Sequence, residues 1–441
     1  MTETLEARRT APAAAATLAD RYREVRAATE ALCRPLVPED YQVQSITETS
    51  PPKWHIAHVT WFFETFVLAP FAAGYETPDA RFAYVYNSYY QAVGPMHPRH
   101  ERAVVSRPTV DEVYGYRRHV DGAMERLLAD PPAEHAAEIA FRTTLGLHHE
   151  QQHQELLLMD VKHNFAANPL QPAYREGGLD AAGGGPGGAV PEAAWLSFPG
   201  GLVEIGWDGD AATAEGFAYD NETPRHRVWL EPYRLASRLV TNGEYRRFVE
   251  AGGYEDPQHW LSDGWTAVRD RGLSAPLYWL PAEGGGWTET TLAGPAPLDD
   301  ALPVCHVSFY EADAYARWAG HRLPTEAELE AATAGEPLSG FDGRGFQGSG
   351  RYHPRRAQGP DDRQWFGELW QWTRSPYVPY PGSQPLAGAL GEYNAKFMAN
   401  QIVLRGGCCA TPADHLRRTY RNFFYPHDRW PFTGIRLAAD G

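Results

Sequence analysis

The sequence predicts two domains of different class: an all-α four-helix bundle followed by an α+β domain. Three features of the 441 residues carry this. Apolar residues recur at helical spacing as far as about Phe165, glycines crowd between Gly177 and Gly188, and after Trp195 short β-like runs replace the long helices. The expected layout is a disordered tail over 1–16, a bundle over 17–170, a Gly-rich linker over 171–194 and the second domain over 195–441.

In the bundle, Leu18, Tyr22, Val25 and Leu32 mark the first helix. Ser50-Pro51-Pro52 predicts the start of a second, with Ser50 as N-cap and proline in the first turn, running from about Lys53 to Leu68. A loop rich in Tyr, Pro and Arg follows over Tyr84–Pro108. The third helix spans Val110–Leu128, and the fourth runs from near Ala133 through Phe165. Two long helices among four suit an up-and-down bundle. Asn168 to Ala194, with its run GGLDAAGGGPGGAVPEAA, is linker by composition. Beyond it, LVEIGW and HRVWLEPYRLA alternate in the β manner. Helices are expected near Asn242–Ala251, from Phe309 or Tyr310, and at Thr325, where Thr325 and Glu328 form a capping box.

Composition excludes several classes. The formal net charge of −16 leaves no basic face for nucleic acid. No apolar run reaches 18 residues, so no membrane span is expected. The N-terminus carries Glu3, Glu6, Arg8 and Arg9 without an apolar stretch, unlike a signal peptide. Cys33, Cys305, Cys408 and Cys409 form no C-x-x-C, which fits a reducing cytoplasm.

The fourth helix holds the densest histidine cluster. His149 and His153 stand at i and i+4, so both rings leave one helix face and can chelate one ion. The second helix offers His55 and His58 among Trp54, Trp61 and Phe62, and spacing alone does not choose between them. A bundle core brings facing helices within ligation reach. Three neutral imidazoles suit zinc, iron or copper. His149-Glu150-x-x-His153 also has the H-E-x-x-H form of zinc metalloproteases. The extended form needs Gly at 156 and His at 159; the chain has Leu156 and Met159.

The segments SPPKWHIAHVTWFFETF, YNSYYQAVGPMHPRHERAVVSRP, LGLHHEQQHQELLLMDVKHNF, PVCHVSFYEADAYARWAGHRLPTEAELEAA, GEYNAKFMANQIVLRGG and RRTYRNFFYPHDRWPFTGIRLA span both halves in order. Together they resemble the ergothioneine-biosynthesis sulfoxide synthases (EgtB type, hercynine oxygenases), including their selenoneine synthase relatives (SenA type). The resemblance implies a DinB-like bundle joined to a formylglycine-generating-enzyme-like, C-type-lectin-related domain. It implies iron(II) held by His58, His149 and His153, choosing His58 over His55. It implies O2-dependent carbon–chalcogen bond formation at imidazole C2 of hercynine, the Nα-trimethyl betaine of histidine. The donor is expected to be cysteine or γ-glutamylcysteine giving a sulfoxide, with a selenosugar as the alternative.

The same resemblance places Gln152 on hercynine and Asn422, Phe423 and Phe424 at its trimethylammonium group, which has no N–H and needs aromatic faces and oxygen dipoles. It places Tyr90, with Tyr89 close behind, beside the oxygen-binding position as proton donor. Arg99 and Arg102, with Arg107 nearby, suit a substrate carboxylate, with Asp414 or Asp428 as acidic partner for an amino-acid donor. Departures from the family pattern at Met96, Leu329, Gln371 and Cys408 are expected to touch the donor loop and the pocket wall. Formylglycine-generating activity needs a spaced pair of cysteines, and Cys408 and Cys409 are adjacent. A plain binding module would leave the histidines without a role.

Overall fold

A computed structural model describes residues 16–176, 192–209, 216–336, 345–359 and 361–441. Residues 1–15 of the expected tail and the Gly-rich core of the expected linker (177–191) fall outside the described residues.

The bundle is built from α1 (Leu18–Cys33), α2 (Pro52–Phe63), α3 (Val110–Ala129) and α4 (Ala136–Ala167). Reciprocal capping boxes open α1 at Thr17–Asp20 and α3 at Thr109–Glu112. For α2 the expectation needs correcting. Pro51, not Ser50, is the N-cap, and Pro52 sits in the first turn. Ser50 is used elsewhere: its N–H donates to Asp160 at 2.7 Å and its hydroxyl accepts from Arg102 at 2.8 Å.

Every residue of α2 is buried, so this helix is the centre of the domain rather than an amphipathic wall. It packs on α3 and α4, and α4 packs on α1. At 32 residues α4 is about 48 Å long. Gly146 lets α2 approach: a Cβ there would lie 2.6 Å from the Phe63 ring and 3.0 Å from that of Phe62. A π-helical turn, Glu64–Leu68, ends α2. Its Glu64 accepts from the hydroxyls of Tyr75 (2.6 Å) and Tyr116 (2.5 Å).

Residues 171–175, expected in the linker, are instead held in place. Tyr174 is buried and donates its hydroxyl to the Leu32 carbonyl at 2.6 Å. The N–H groups of Tyr174 and Arg175 both reach the Leu292 carbonyl. A buried tyrosine with a satisfied hydroxyl makes this segment a clasp between α1 and the second domain.

The second domain contains a three-stranded antiparallel sheet in the order β1 (Trp195–Phe198), β4 (Tyr233–Ala236), β12 (Ala438–Asp440), and the hairpin β2 (Gly201–Ile205)–β3 (His226–Leu230). It also contains the meander β5 (Trp279–Pro281), β6 (Trp287–Thr291), β7 (Gly294–Pro297). The fourth sheet matters most for function. Its order is β10 (Asn422–Phe424), β9 (Ile402–Arg405), β8 (Trp370–Pro376), β11 (Thr433–Gly434). Asn422, Phe423 and Phe424 thus form an edge strand facing the bundle. Helices α5 (Asn242–Glu250), α7 (Phe309–Trp318) and α8 (Glu326–Ala332) stand where the sequence places them, each opened by a capping box. Helix α6 (Ser262–Arg271) was not expected; it ends on Gly272 at φ 63°. No helix among the described residues is long and apolar enough to cross a membrane.

Candidate metal centre and substrate cavity

His58 leaves α2 and His149 and His153 leave α4 toward a common point. All three are buried, and one nitrogen from each lies within 4.8 Å of the others. Among the described residues this is the one group of three His, Cys, Asp or Glu able to share an ion. The His58 Nδ1–H donates to the Tyr86 carbonyl at 2.6 Å, which leaves its Nε2 as a lone pair. That Nε2 lies 3.2 Å from His149 Nε2. Two nitrogens each about 2.1 Å from one ion would be about 3.0 Å apart at right angles and about 3.4 Å apart in a tetrahedron. The donor set therefore fits a first-row metal.

Burial pushes the His58 and His153 imidazoles well below their ordinary pKa and His149 down to about 3; the neighbouring imidazoles push His58 and His153 the same way. Neutral imidazole is the form that binds metal. His55, the alternative left open by spacing, is committed elsewhere. Its Nδ1 lies 2.8 Å from His153 Nδ1, and its Nε2 lies 3.0 Å from Asp160 Oδ2.

Glu150 settles the metalloprotease alternative. One residue beyond His149 it points about 100° around the helix, into the α1–α3 side of the bundle. There it accepts from Arg26 (2.8 Å), Arg117 (2.7 Å) and the Thr29 hydroxyl (2.7 Å). A carboxylate so occupied is not a base at the three-histidine centre.

Beside the histidines a cavity of about 320 Å³ opens between the bundle and the second domain. From the bundle come Trp54, Tyr89, Arg99, Arg102, Gln152 and His153; from the second domain come Trp370, Tyr393, Tyr420 and the edge strand Asn422–Phe424. Gln152 bridges the two sides. Its amide donates to the Tyr420 hydroxyl at 2.5 Å and its carbonyl accepts from the Tyr393 hydroxyl. Phe423 stacks on Tyr377 with ring centroids 4.1 Å apart, and Phe424 meets Trp430 edge-on at 5.8 Å.

Arg102 is buried, with its guanidinium 3.4 Å above the Trp54 ring. It donates to the hydroxyls of Ser50 (2.8 Å) and Ser88 (3.1 Å), and no carboxylate pairs with it among the described residues. Arg99 sits at the rim and donates to the Glu48 carbonyl. Glu48, Glu155, Asp160 and Asp428 line the wall, and burial raises Glu155 to about 6 and Asp428 to about 7.

Several expectations about this wall are corrected. Arg107 is exposed and donates to the Ser106 carbonyl, away from the cavity. Asp414 pairs with Arg21 and Gln151 outside it. Cys408 is buried behind it, its sulfur accepting from the Ala410 N–H at 3.4 Å. Leu329 and Gln371 line a separate crevice in the second domain, where the Gln371 amide donates to the Trp365 carbonyl. Met96 does not line the cavity.

Of the two expected tyrosines, Tyr89 lines the cavity. Tyr90 is fully buried behind it, packed against Phe66 at 4.9 Å and Trp61 at 5.8 Å. The residue missed by sequence reasoning is Tyr393. Its ring stands edge-on to His149, centroids 5.4 Å apart, and its hydroxyl is on Gln152. Its only local signal was a lone tyrosine in the GEYNAKF loop, more than 200 residues from the ligands.

A helical bundle whose core gathers three neutral imidazoles, roofed by an aromatic α+β domain, defines a two-domain metalloenzyme. The DinB superfamily matches residues 21–163, and the sulfatase-modifying factor enzyme 1-like domain matches residues 187–365. The hercynine oxygenase of Mycolicibacterium smegmatis is 32% identical over 383 residues, covering 77% of this chain and 86% of that protein. The hercynine oxygenase of Mycolicibacterium thermoresistibile is 32% identical over 419 residues, covering 89% and 87%. Ergothioneine biosynthesis protein 1 of Schizosaccharomyces pombe is 27% identical over 240 residues, covering 51% and 28%. The chain belongs to the hercynine oxygenase family and is an oxygenase.

Proposed function

We propose that this enzyme uses iron(II), held by His58, His149 and His153, and O2 to join a chalcogen to imidazole C2 of hercynine. The observation that carries the reading is the convergence of three neutral imidazoles, with no carboxylate among them, one of which, His153, lines an aromatic cavity. Iron bound there with positions to spare would supply the oxidation and the proximity that unreactive C2 requires. With a thiol donor the sum balances. The C2 hydrogen and the thiol hydrogen leave with one oxygen atom as water, and the other oxygen stays on sulfur as the sulfoxide.

The chain's own groups do the rest. Gln152 orients the hercynine ring from between two phenols. Phe423, Phe424, the Asn422 amide oxygen and the Glu155 carboxyl offer the faces and dipoles that a trimethylammonium group needs. Arg102, buried without a carboxylate of its own, receives a substrate carboxylate, and Arg99 assists at the rim.

We assign the proton donor to Tyr393 ahead of Tyr89 and Tyr90, because its ring borders His149. Burial raises all three phenols, so each holds its proton at neutral pH. The Tyr393→Phe variant is expected to lose carbon–chalcogen bond formation about 100-fold while still consuming O2 on the donor alone. Parallel O2-electrode and mass measurements on the three Tyr→Phe variants check this. A wild-type Tyr393→Phe beside a crippled Tyr90→Phe returns the role to Tyr90.

Sulfur from cysteine or γ-glutamylcysteine is the first reading for the donor. A selenosugar is the second, favoured by the neutral hydrogen-bonding groups Ser50, Ser88, Asn394 and Gln401 on the same wall. The test is anaerobic loading with iron(II) and hercynine. Cysteine, γ-glutamylcysteine and a selenosugar are then supplied in parallel under air, with mass detection of products. A sulfoxide from either thiol, and poor use of histidine in place of hercynine, is expected. Faster turnover of the selenosugar selects the second reading, and no chalcogen adduct with any donor refutes both.

A further inference from the structure

We infer that Asp160 and His55 are positioning residues for the metal centre: a carboxylate–imidazole chain, clamped from both domains, that fixes which nitrogen His153 presents. This rests on the metal-centre reading above.

The chain is continuous and buried. Asp160 Oδ2 lies 3.0 Å from His55 Nε2, and His55 Nδ1 lies 2.8 Å from His153 Nδ1. Asp160, His55 and His153 are 2%, 3% and 8% exposed, so the chain is largely shielded although it borders the cavity. The direction of every bond then follows from its first member. Both Asp160 oxygens already accept from obligate N–H donors, Ser50 and Trp430, so the carboxyl acts as acceptor toward His55 as well and His55 carries its proton on Nε2. A neutral imidazole has one donor, so His55 Nδ1 is an acceptor. His153 must therefore carry its proton on Nδ1, and its Nε2 lone pair is left for the ion. A carboxylate two residues removed from the centre thus selects the tautomer of a ligand and makes it a better donor.

His58 achieves the same result directly, through the Tyr86 carbonyl. His149 Nδ1 has no hydrogen-bond partner among the described residues. Of the three ligands, only His153 answers to a charged group.

Asp160 is itself held by donors from three parts of the chain. Its Oδ2 also accepts the Ser50 N–H at 2.7 Å, just before α2. Its Oδ1 accepts the indole N–H of Trp430 at 3.2 Å, from the second domain. The carboxylate has no freedom to turn away from His55, and the second domain contributes to holding it there. If Asp160 were only filling space, an isosteric amide would serve as well. It would not here, because the side-chain amide of an Asp160→Asn variant would have to aim an N–H at one of three existing donors.

The test is metal affinity. Cobalt(II) and iron(II) are titrated anaerobically into the full-length wild-type protein and the Asp160→Asn, His55→Leu, His55→Gln and Trp430→Phe variants. Affinity and the cobalt ligand-field spectrum are read, with circular dichroism to confirm folding. Asp160→Asn and His55→Leu are expected to bind 10–100-fold more weakly with a shifted spectrum. His55→Gln keeps a donor for Asp160 and an acceptor for His153, so it should recover much of the loss. Trp430→Phe removes one N–H and should cost a few-fold. If His55→Leu does not fold, the other three variants decide. Folded Asp160→Asn and Trp430→Phe with wild-type affinity and spectrum would overturn the assignment. A wild-type protein that binds neither metal would instead sink the metal-centre reading.

Discussion

Replacing Glu150 by alanine is expected to destabilise the protein by about 3–5 kcal/mol, the usual cost of stranding buried charge. The Glu150 side chain is fully buried, as is that of Arg117, and Arg26 is nearly so. Arg26 keeps Asp121 at 2.7 Å, but Arg117 is left with Glu30 at 3.3 Å and a backbone carbonyl. The Glu150→Gln variant keeps the shape and should cost less. The pH dependence has a definite sign. Burial alone would raise the Glu150 carboxyl, but Arg117 and Arg26 overcome it and hold the folded value at about 2, below its ordinary 4.5. Its contribution is present in full above about pH 4.5 and is lost as pH falls toward 2. Urea unfolding of wild type and both variants at pH 7 measures the effect. A loss below about 1 kcal/mol for Glu150→Ala would show that the network is not structural.

The His58→Ala and His149→Ala variants are each expected to abolish stoichiometric iron binding and turnover. Removing one of three nitrogen donors takes away a bond, whereas removing an outer partner only misdirects one, at about 10–100-fold. The ordering is therefore His58→Ala and His149→Ala far below His55→Leu, and His55→Leu below wild type. Metal analysis after anaerobic reconstitution reads it directly. His55→Leu losing all metal while His58→Ala retains it would reverse the assignment of the second-helix ligand.

Much of this was legible because local rules govern it. The i, i+4 spacing of His149 and His153 needs only a helix. The Thr325–Glu328 box needs only its own four residues, and the structure has both capping bonds, at 3.1 and 2.7 Å. The choice between His55 and His58 was not legible from spacing. Both lie on a helix buried on every side, so no apolar stripe says which way either ring points. The pattern H-E-x-x-H reads the same whether Glu150 faces an ion or an arginine pair, and only α1 and α3 decide it. Tyr393 and Trp430 reach the centre from loops of the second domain, where sequence separation removes any periodic signal. The wall was misjudged at Cys408, Met96 and Asp414 for the same reason: adjacency in a motif says nothing about which side of a strand or loop meets the cavity.

The most direct measurement of the central claim uses hercynine deuterated at imidazole C2. Enzyme loaded anaerobically with iron(II), given this substrate, a chalcogen donor and O2, is predicted to release the C2 deuterium and form the C2–chalcogen adduct, with no adduct in the absence of O2. The His58→Ala variant should release none. Product that retains deuterium at C2, or equal product from zinc-loaded enzyme without O2, would contradict the assignment of this three-histidine centre to oxidative chemistry at C2.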